Sequence, residues 1–362
     1  MATIHSTPRK DGFRMSGEFE PHKQTWMLWP MRTDTWRAGA KPAQRAYVEV
    51  AKAIAQFEPV TMCVNHEHYE NARALLPDHI RVVEISSNDA WMRDIGPTFV
   101  KNDQGEVRGI DWGFNAWGGV DEGLYFPWDK DRLVKQKILD MEGIDRYDAR
   151  HFITEGGALH VDGEGTLITT EECVLNPNRN KLSKAETEEV LREYLNVDKI
   201  IWIKRGLVGD ETDGHIDELL FFVRPGEIAI SWTDDPNHPQ YEVIQEAYEQ
   251  LQNETDAQGR KFKIHKVQLP EQLRLTEEQS AEIDRVDTAY DRTPDKVFIA
   301  TYINCYICNG GVVIPAFGDP QDEIAKKQFE AMFPERKVVQ VNTREVSFGG
   351  GNIHCITQQE PK

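Results

Sequence analysis

Four times along the chain a run of β-branched, aromatic and aliphatic residues meets a Gly-containing turn and a second such run. The four are "PTFVKNDQGEVRGIDW" (97–112), "ALHVDGEGTLITTE" (158–171), "ELLFFVRPGEIAIS" (218–231) and "CYICNGGVVIPAF" (305–317). Strand-forming runs joined across Asn, Asp or Gly read as hairpins, because these residues tolerate the backbone angles of tight turns. A helical period follows each hairpin, at 129–141, 184–195, 239–252 and 322–333. Ser183 with Glu186 three residues later marks the start of the second of these helices as a capping box. A fifth helix, 43–57, places Tyr47, Val50, Ala51, Ile54 and Phe57 on one face. It lies between two apolar, strand-like runs, "TWMLWP" (25–30) and "PVTMCV" (59–64).

The pattern predicts five units of ββαβ type. The first lacks a partner strand for its hairpin, and "NIHCITQ" near the C-terminus is expected to supply it. Pairing of the last strand with the first unit would close a ring, and closed radial repetition protects sheet edges. The expected fold class is therefore α/β, a five-bladed pseudo-symmetric propeller formed by residues 1–362 as a single domain. A generic α/β sandwich is the alternative that the pattern alone allows.

Composition narrows the function. Hydrophobic residues make up 39% and charged residues 28%, which is ordinary for a globular chain and not for a disordered one. The net charge of −19 argues against nucleic acid or an anionic membrane surface as partner and is permissive of a cationic substrate. The N-terminal stretch has no apolar core of a signal peptide, and no apolar run approaches the roughly 20 residues of a membrane span. Five scattered cysteines (Cys63, Cys173, Cys305, Cys308 and Cys355) then suggest free thiols and a cytoplasmic location.

Polar residues interrupt the strand pattern at recurring places. They are "NDAWMRDIGP" with Asp89, Trp91, Arg93 and Asp94, "TEGGALH" with Glu155, "DETDGHIDE" with His215 and Asp217, and "GGGNIHC" ending on Cys355. Asp94 and Glu155 are 61 residues apart, and Glu155 and Asp217 are 62 apart. Equivalent positions in successive units would point at one axial centre. His215 and Asp217, two apart, would share a face if that segment is a strand. Each residue also has a plainer reading: Asp94 paired with Arg93, Glu155 and Asp217 as turn or cap residues, Cys355 as an inert buried thiol. Together they suit a guanidinium, which is planar, permanently charged and pairs bidentately with carboxylates. A thiolate would attack its central carbon, and a histidine would protonate the leaving ammonia and then activate water. The neighbouring carboxylates would raise the thiol pKa, so the substrate cation or a protonated His must offset them.

"WMRDIGP", "EGG", "GHIDE" and "GGGNIHC" closely resemble the agmatine deiminase family of the guanidine-modifying, pentein-fold enzymes, as do "MLWPMRTDTWR", "DWGFNAWGG", "LNPNRN" and "YINCYICNGG". The resemblance implies a five-bladed propeller with a central active site. It implies hydrolysis of agmatine to N-carbamoylputrescine and ammonia through an amidino-cysteine intermediate, without metal or cofactor, by a homo-oligomer. The family's nucleophile falls on Cys355, its acid/base histidine on His215, its guanidinium-binding carboxylates on Asp94 and Asp217, and its His-orienting glutamate on Glu155. Trp91 and one of Trp112 and Trp117 resemble pocket walls, and Gly351 and Asn352 fall in the substrate-binding turn.

The sequence also allows rival readings. Deimination of free or peptide C-terminal arginine would demand an Arg to receive the substrate carboxylate, and Arg93, Arg179 and Arg205 lie close to the motifs. A metal hydrolase built on His160, His215, Asp217 and Glu155 would leave Cys355 unused and lacks the helical H-E-x-x-H spacing. A non-catalytic polyamine binder would tolerate loss of the thiol. The C-x-x-C pair Cys305 and Cys308 reads as part of a strand, with the two thiols on opposite faces, and not as a redox or zinc motif.

Overall fold

Each predicted repeat folds as a small sheet of its own in the computed structural model, which describes residues 1–362. In the second unit Thr98–Lys101 pairs antiparallel with Val107–Gly113, the helix Asp131–Glu142 crosses over, and Arg146–Ile153 returns parallel to Val107–Gly113. The third repeats this with His160–Val161, Thr166–Thr170, helix Lys184–Leu195 and Lys199–Ile203. The fourth uses Leu220–Arg224, Glu227–Trp232, helix Tyr241–Asn253 and Lys263–Gln268. The fifth uses Tyr306–Cys308, Gly311–Ala316, helix Gln321–Met332 and Lys337–Asn342. A parallel pair needs a crossover, and the amphipathic helix that supplies it covers the sheet with its apolar stripe.

The first unit is closed by the end of the chain. His22–Leu28 pairs parallel with Val60–Val64 across the helix Lys41–Ile54, and Thr357–Pro361 pairs antiparallel with His22–Leu28. The five-bladed α/β architecture is thus the one the pattern predicts. The helix Lys184–Leu195 matches its predicted bounds, and the other helix ends differ by one to three residues. The first helix stops at Ile54 and not at Phe57, because the chain turns there to bring Val60–Val64 into register. Two short N-terminal strands, Thr3–Ile4 and Arg14–Met15, extend the second unit's sheet to five strands, and their two-residue length gave no periodic signal.

The terminal strand is locked in place. Residues 357–361 are buried along their whole length. Gln359 Oε1 accepts from Arg93 Nη1 at 2.6 Å, and Glu360 Oε2 accepts from Gln24 Nε2 at 2.7 Å and Trp26 Nε1 at 2.9 Å. The largest apolar cluster runs from the first unit's helix through Trp36, Trp91 and Trp117 to Cys355, so the thiol rests on packed core. Between the helix Glu277–Ala281 and Tyr306–Cys308 the chain has only isolated bridges, and this stretch carries Tyr290, Arg292 and Asn304 to the centre.

Removing residues 357–362 should abolish the cooperative urea transition followed by circular dichroism, because His22–Leu28 loses its neighbour and Arg93, Gln24 and Trp26 lose buried partners. A truncated protein that melts within a few degrees of the full chain would show that ring closure is dispensable.

Candidate active site

The residues singled out by motif sit on three single-turn helices, each just before a hairpin. Asp94 lies in Met92–Ile95, Glu155 caps the turn Gly156–Ala158, and His215 caps the turn Ile216–Glu218, which contains Asp217. The expectation that His215 and Asp217 share a strand face is corrected here: the segment is a helical turn. On a strand, neighbours point to opposite faces. On this turn the adjacent Asp217 and Glu218 both reach Cys355, with Asp217 Oδ2 3.5 Å and Glu218 Oε1 3.8 Å from Sγ.

Cys355 ends the glycine-rich turn before the last strand. Its carbonyl accepts from Arg93 N at 3.0 Å, tying the turn to the Asp94 helix. Gly350 takes φ +106°, a region that other residues rarely adopt, and a Cβ there would collide with Glu211. A Cβ at Gly351 would lie 2.8 Å from the Trp91 ring and 2.9 Å from Cys355 Sγ. The glycines let the backbone pass between the thiol and the aromatic wall. Asn352 faces away from the pocket. Its Oδ1 accepts from Thr343 Oγ1 at 2.7 Å and its Nδ2 donates to Ser347 Oγ at 2.8 Å, so its side chain braces the turn.

Opposite Cys355, Asp94 accepts from Gly157 N at 2.8 Å through Oδ1 and from Trp117 Nε1 at 2.9 Å through Oδ2. His215 stands between acids, with Nδ1 3.8 Å from Asp94 Oδ2 and Nε2 3.5 Å from Glu155 Oε2. Glu155 is held in turn by Arg179 Nε at 2.8 Å. A Cβ on Gly157 would strike His215 Nδ1 and stand 3.0 Å from Asp217 Oδ2 and 3.1 Å from Asp94 Oδ1. The missing side chain of Gly157 thus marks a point where the histidine and both carboxylates converge.

The charges follow from burial. Burial pushes the Cys355 thiol well up, and Asp217, Glu218 and Asp94 push it further. Burial opposes the proton on His215, yet Asp94, Cys173 and Glu155 outweigh it and hold the imidazole protonated. Burial also raises Asp94 against the pull of His215. For Glu155 the Arg179 and His215 cations overcome desolvation and hold it at about 2.

A second layer lies behind Asp217. His354 donates through Nδ1 to Asp217 Oδ2 at 2.7 Å and pairs through Nε2 with Glu18 Oε2 at 2.8 Å. Arg93 reaches Glu18 at 3.1 Å and the His354 carbonyl at 3.2 Å. Burial alone would raise Glu18, but His354 and Arg93 hold it at about 2. Burial disfavours the charged His354, but Glu18 and Asp217 raise it above the ordinary value even against Arg93. His160 stacks on His354 at 4.9 Å between ring centres, and burial beside that cation drops it to about 3.

The narrow pocket above Cys355 is lined by Asp89, Trp91, Asp94, Trp117 and Tyr125 together with Arg292. Asp89 anchors the Trp91 indole at 2.9 Å. Ala116 and Trp117 both have positive φ, of 54° and 64°, a strained turn held by Arg179 Nη1 on the Trp117 carbonyl at 2.8 Å. Trp112 is elsewhere. It donates to Thr98 Oγ1 and packs against Phe152 and Tyr194 in the core beneath the second sheet, so of the two candidate tryptophans only Trp117 lines the pocket. Strand alternation puts Trp112 inward, whereas Trp117 lies beyond the strand in the turn.

Arg93 and Arg179 are consumed by buried structural bonds, and Arg205 pairs with Glu246 on the surface. Cys305 and Cys308 belong to different apolar clusters. Two groups, Glu155–Cys173–His215 and Asp217–Glu218–Cys355, have donor atoms close enough together to hold a metal. In each, a carboxylate is already neutralised by Arg179 or His354, leaving an anionic cage better matched to a flat organic cation. A larger surface groove beside Leu207, His238 and Lys296 contains no thiol and no converging acids. Sequence reasoning did not assign Glu218, Asn304, Glu18 or His354, although Glu218, Asn304 and His354 lie inside the quoted motifs.

A ring of five ββαβ units around a thiol, a charged histidine and paired carboxylates defines a guanidine-modifying hydrolase of the pentein class. The chain belongs to the Porphyromonas-type peptidyl-arginine deiminase family, whose model matches residues 14–361. It is 56% identical over 363 residues to an agmatine deiminase of Pseudomonas aeruginosa strain UCBPP-PA14, covering 100% of this chain and 99% of the relative. It is 55% identical, with the same coverage, to an agmatine deiminase of Ectopseudomonas mendocina strain ymp. It superposes with a TM-score of 0.98 on the agmatine deiminase of Enterococcus faecalis, at 50% identity and 100% coverage of both chains.

Two outcomes follow from this geometry. Gly157→Ala should fold with a near-native circular dichroism spectrum yet lose at least about 100-fold in turnover, since a methyl group displaces His215 and crowds Asp217 and Asp94. Near-normal turnover would mean that the convergence point lies off the reaction path. Glu18 and Glu155 titrate lower folded than unfolded, so the stability they confer is full above their ordinary value near 4.5 and is lost as pH falls from there toward about 2. Glu18→Gln should be destabilised by about 3–5 kcal/mol at neutral pH, by stranding buried cations, and show a flatter Tm in that acid window. An unchanged acid limb would show that Glu18 does not carry this linkage.

Proposed function

We propose that this protein is an agmatine deiminase in which Cys355 is the nucleophile, His215 the general acid and base, Asp94 and Asp217 the guanidinium clamp, and Glu155 the group that orients His215. One observation carries the choice of substrate: the pocket offers carboxylates and aromatic faces but no free cation. Arg292 is its one lining guanidinium, and both Nη atoms are committed, to Glu211 at 2.7 Å and 2.7 Å and to the Gly349 carbonyl at 2.8 Å. A substrate carboxylate would have to displace Glu211. A substrate ending in an ammonium meets acids and the faces of Trp91, Trp117 and Tyr125, which suit a cation.

The reaction runs in two halves. The guanidinium settles against Asp94 and Asp217, and its charge lowers the pKa of the thiol that these acids had raised. The thiol gives up its proton to solvent, the thiolate attacks the central carbon, His215 gives its own proton to the departing nitrogen, and ammonia leaves. Neutral His215 then takes a proton from water, the hydroxyl adds to the amidino carbon, and the C–S bond breaks to release N-carbamoylputrescine and restore the thiol. Trp91 and Trp117 cover the reacting centre and limit water to the second half.

The reading extends to a homo-oligomer acting in the cytoplasm. Five free thiols support a reducing compartment, and no helix is long and apolar enough to cross a membrane.

Ammonia release should be rapid from agmatine and at background from arginine, while Cys355→Ser should bind agmatine and release none. Preference for arginine would overturn the pocket assignment, and a working Cys355→Ser would overturn the covalent route. Turnover should survive a strong chelator; its loss would favour the metal reading.

A further inference from the structure

The nucleophilic sulfur is surrounded by acids, and the mechanism above gives it no fixed partner between turnovers. Its closest polar neighbour is a different group. Asn304 Nδ2 lies 3.1 Å from Cys355 Sγ and 3.1 Å from Glu218 Oε1. The orientation of this amide is set by its other end. Asn304 Oδ1 accepts from the backbone N–H of His354 at 2.9 Å and of Cys355 at 3.3 Å. Two backbone donors at the oxygen leave the NH₂ group to face the sulfur. Asn304 is wholly buried and enters from the irregular stretch before Tyr306–Cys308, outside the three acid-bearing turns.

We propose that Asn304 is a catalytic residue, the fixed side-chain hydrogen-bond donor to the Cys355 sulfur in both halves of the reaction. This role rests on the covalent reading of Cys355 given above. The titratable groups that face the sulfur are Asp217, Glu218 and Asp94, all of which disfavour a thiolate, and the other donor turned toward it is the backbone N–H of Asn352. Asn304 therefore supplies part of what the acids withhold. In the first half its N–H stabilises the thiolate that forms when the thiol proton leaves. While carbon is bonded to sulfur the contact weakens, because a thioether is a poor acceptor. In the second half negative charge returns to sulfur as the C–S bond breaks, and the same N–H receives it. A preorganised donor aimed at the atom that gains charge acts this way without reorganising. Binding energy is little involved, since Asn304 meets Asp217 only at its backbone carbonyl, 3.5 Å away, and not at the carboxylate of the guanidinium clamp.

The test reads the thiol with and without the substrate. Iodoacetamide alkylation of Cys355 in the full chain, followed between pH 7 and 9 with Cys355→Ser as the blank for the other four thiols, needs no agmatine. Asn304→Ala should alkylate several-fold more slowly at every pH, as a higher thiol pKa lowers the thiolate fraction more than it raises nucleophilicity. Its kcat for agmatine should fall about ten- to hundred-fold, the scale of a hydrogen bond to a charged group, with KM little changed. Asn304→Asp keeps the acceptor for the two backbone N–H groups, and donates to sulfur only while protonated. Its activity should therefore decline as pH rises through the range where wild type holds steady. Wild-type alkylation rates in Asn304→Ala, or wild-type behaviour of Asn304→Asp at every pH, would reduce Asn304 to a backbone anchor. If wild type itself fails to turn over agmatine, the proposed function falls, while the alkylation comparison still decides whether Asn304 donates to the thiol.

Discussion

Burial of several carboxylates around one point is the constraint on which the rest of this structure depends. Asp94, Asp217, Glu218 and Glu155 all lie within reach of Cys355 or His215, out of water, where an unpaired charge is costly. The protein holds this cage together from behind. Arg179 takes Glu155, and His354, itself held by Glu18 and Arg93, takes Asp217. Those cations sit on the far side of the acids, so the open side stays anionic. A flat cation entering from the pocket would complete the charge balance, and under the proposed function the same event would lower the pKa of the thiol.

The ring exists to bring these groups together. Asp94, Glu155 and Asp217 come from three consecutive units, each from the helical turn that opens a hairpin. Cys355 arrives from the opposite direction in sequence, on the strand that completes the first unit. The closing strand therefore serves fold and chemistry at once. Arg93 makes this concrete: its backbone N–H holds the Cys355 carbonyl, its side chain holds Gln359 and Glu18, and the next residue is Asp94. A shift of the last strand would move Cys355 relative to Asp94.

The aromatic wall shows how tightly charge and packing are coupled. Trp91 and Trp117 are each pinned by an indole bond to a buried aspartate, Asp89 and Asp94. A Trp in a pocket would otherwise hop between rotamers. Here Asp94 fixes the Trp117 ring beside it, so loss of Asp94 would loosen the pocket wall as well as remove a carboxylate.

Much of this was legible in the sequence, for physical reasons that differ by element. Hairpins and crossover helices were readable because their periods, two and 3.6, are local, and each unit repeats them. The acids stood out because a charged residue inside an apolar run has to be explained by a partner. Trp112 and Trp117 could not be separated by pattern, since five residues of turn with two left-handed backbones decide which ring faces the centre. Glu218 carries no signal in the sequence, because strand alternation would turn it away from Asp217 and only the helical turn lets neighbours act together. Asn304, His354 and Glu18 lie in three distant parts of the chain and become one network only when the ring closes. The sequence by itself determined the repeating unit and the chemistry of the residues at its mouth, because both are written in local spacing. The tertiary structure alone decided which of those residues share a charge, a proton or a hydrogen bond, because such coupling depends on distances of a few ångströms between units far apart in the chain.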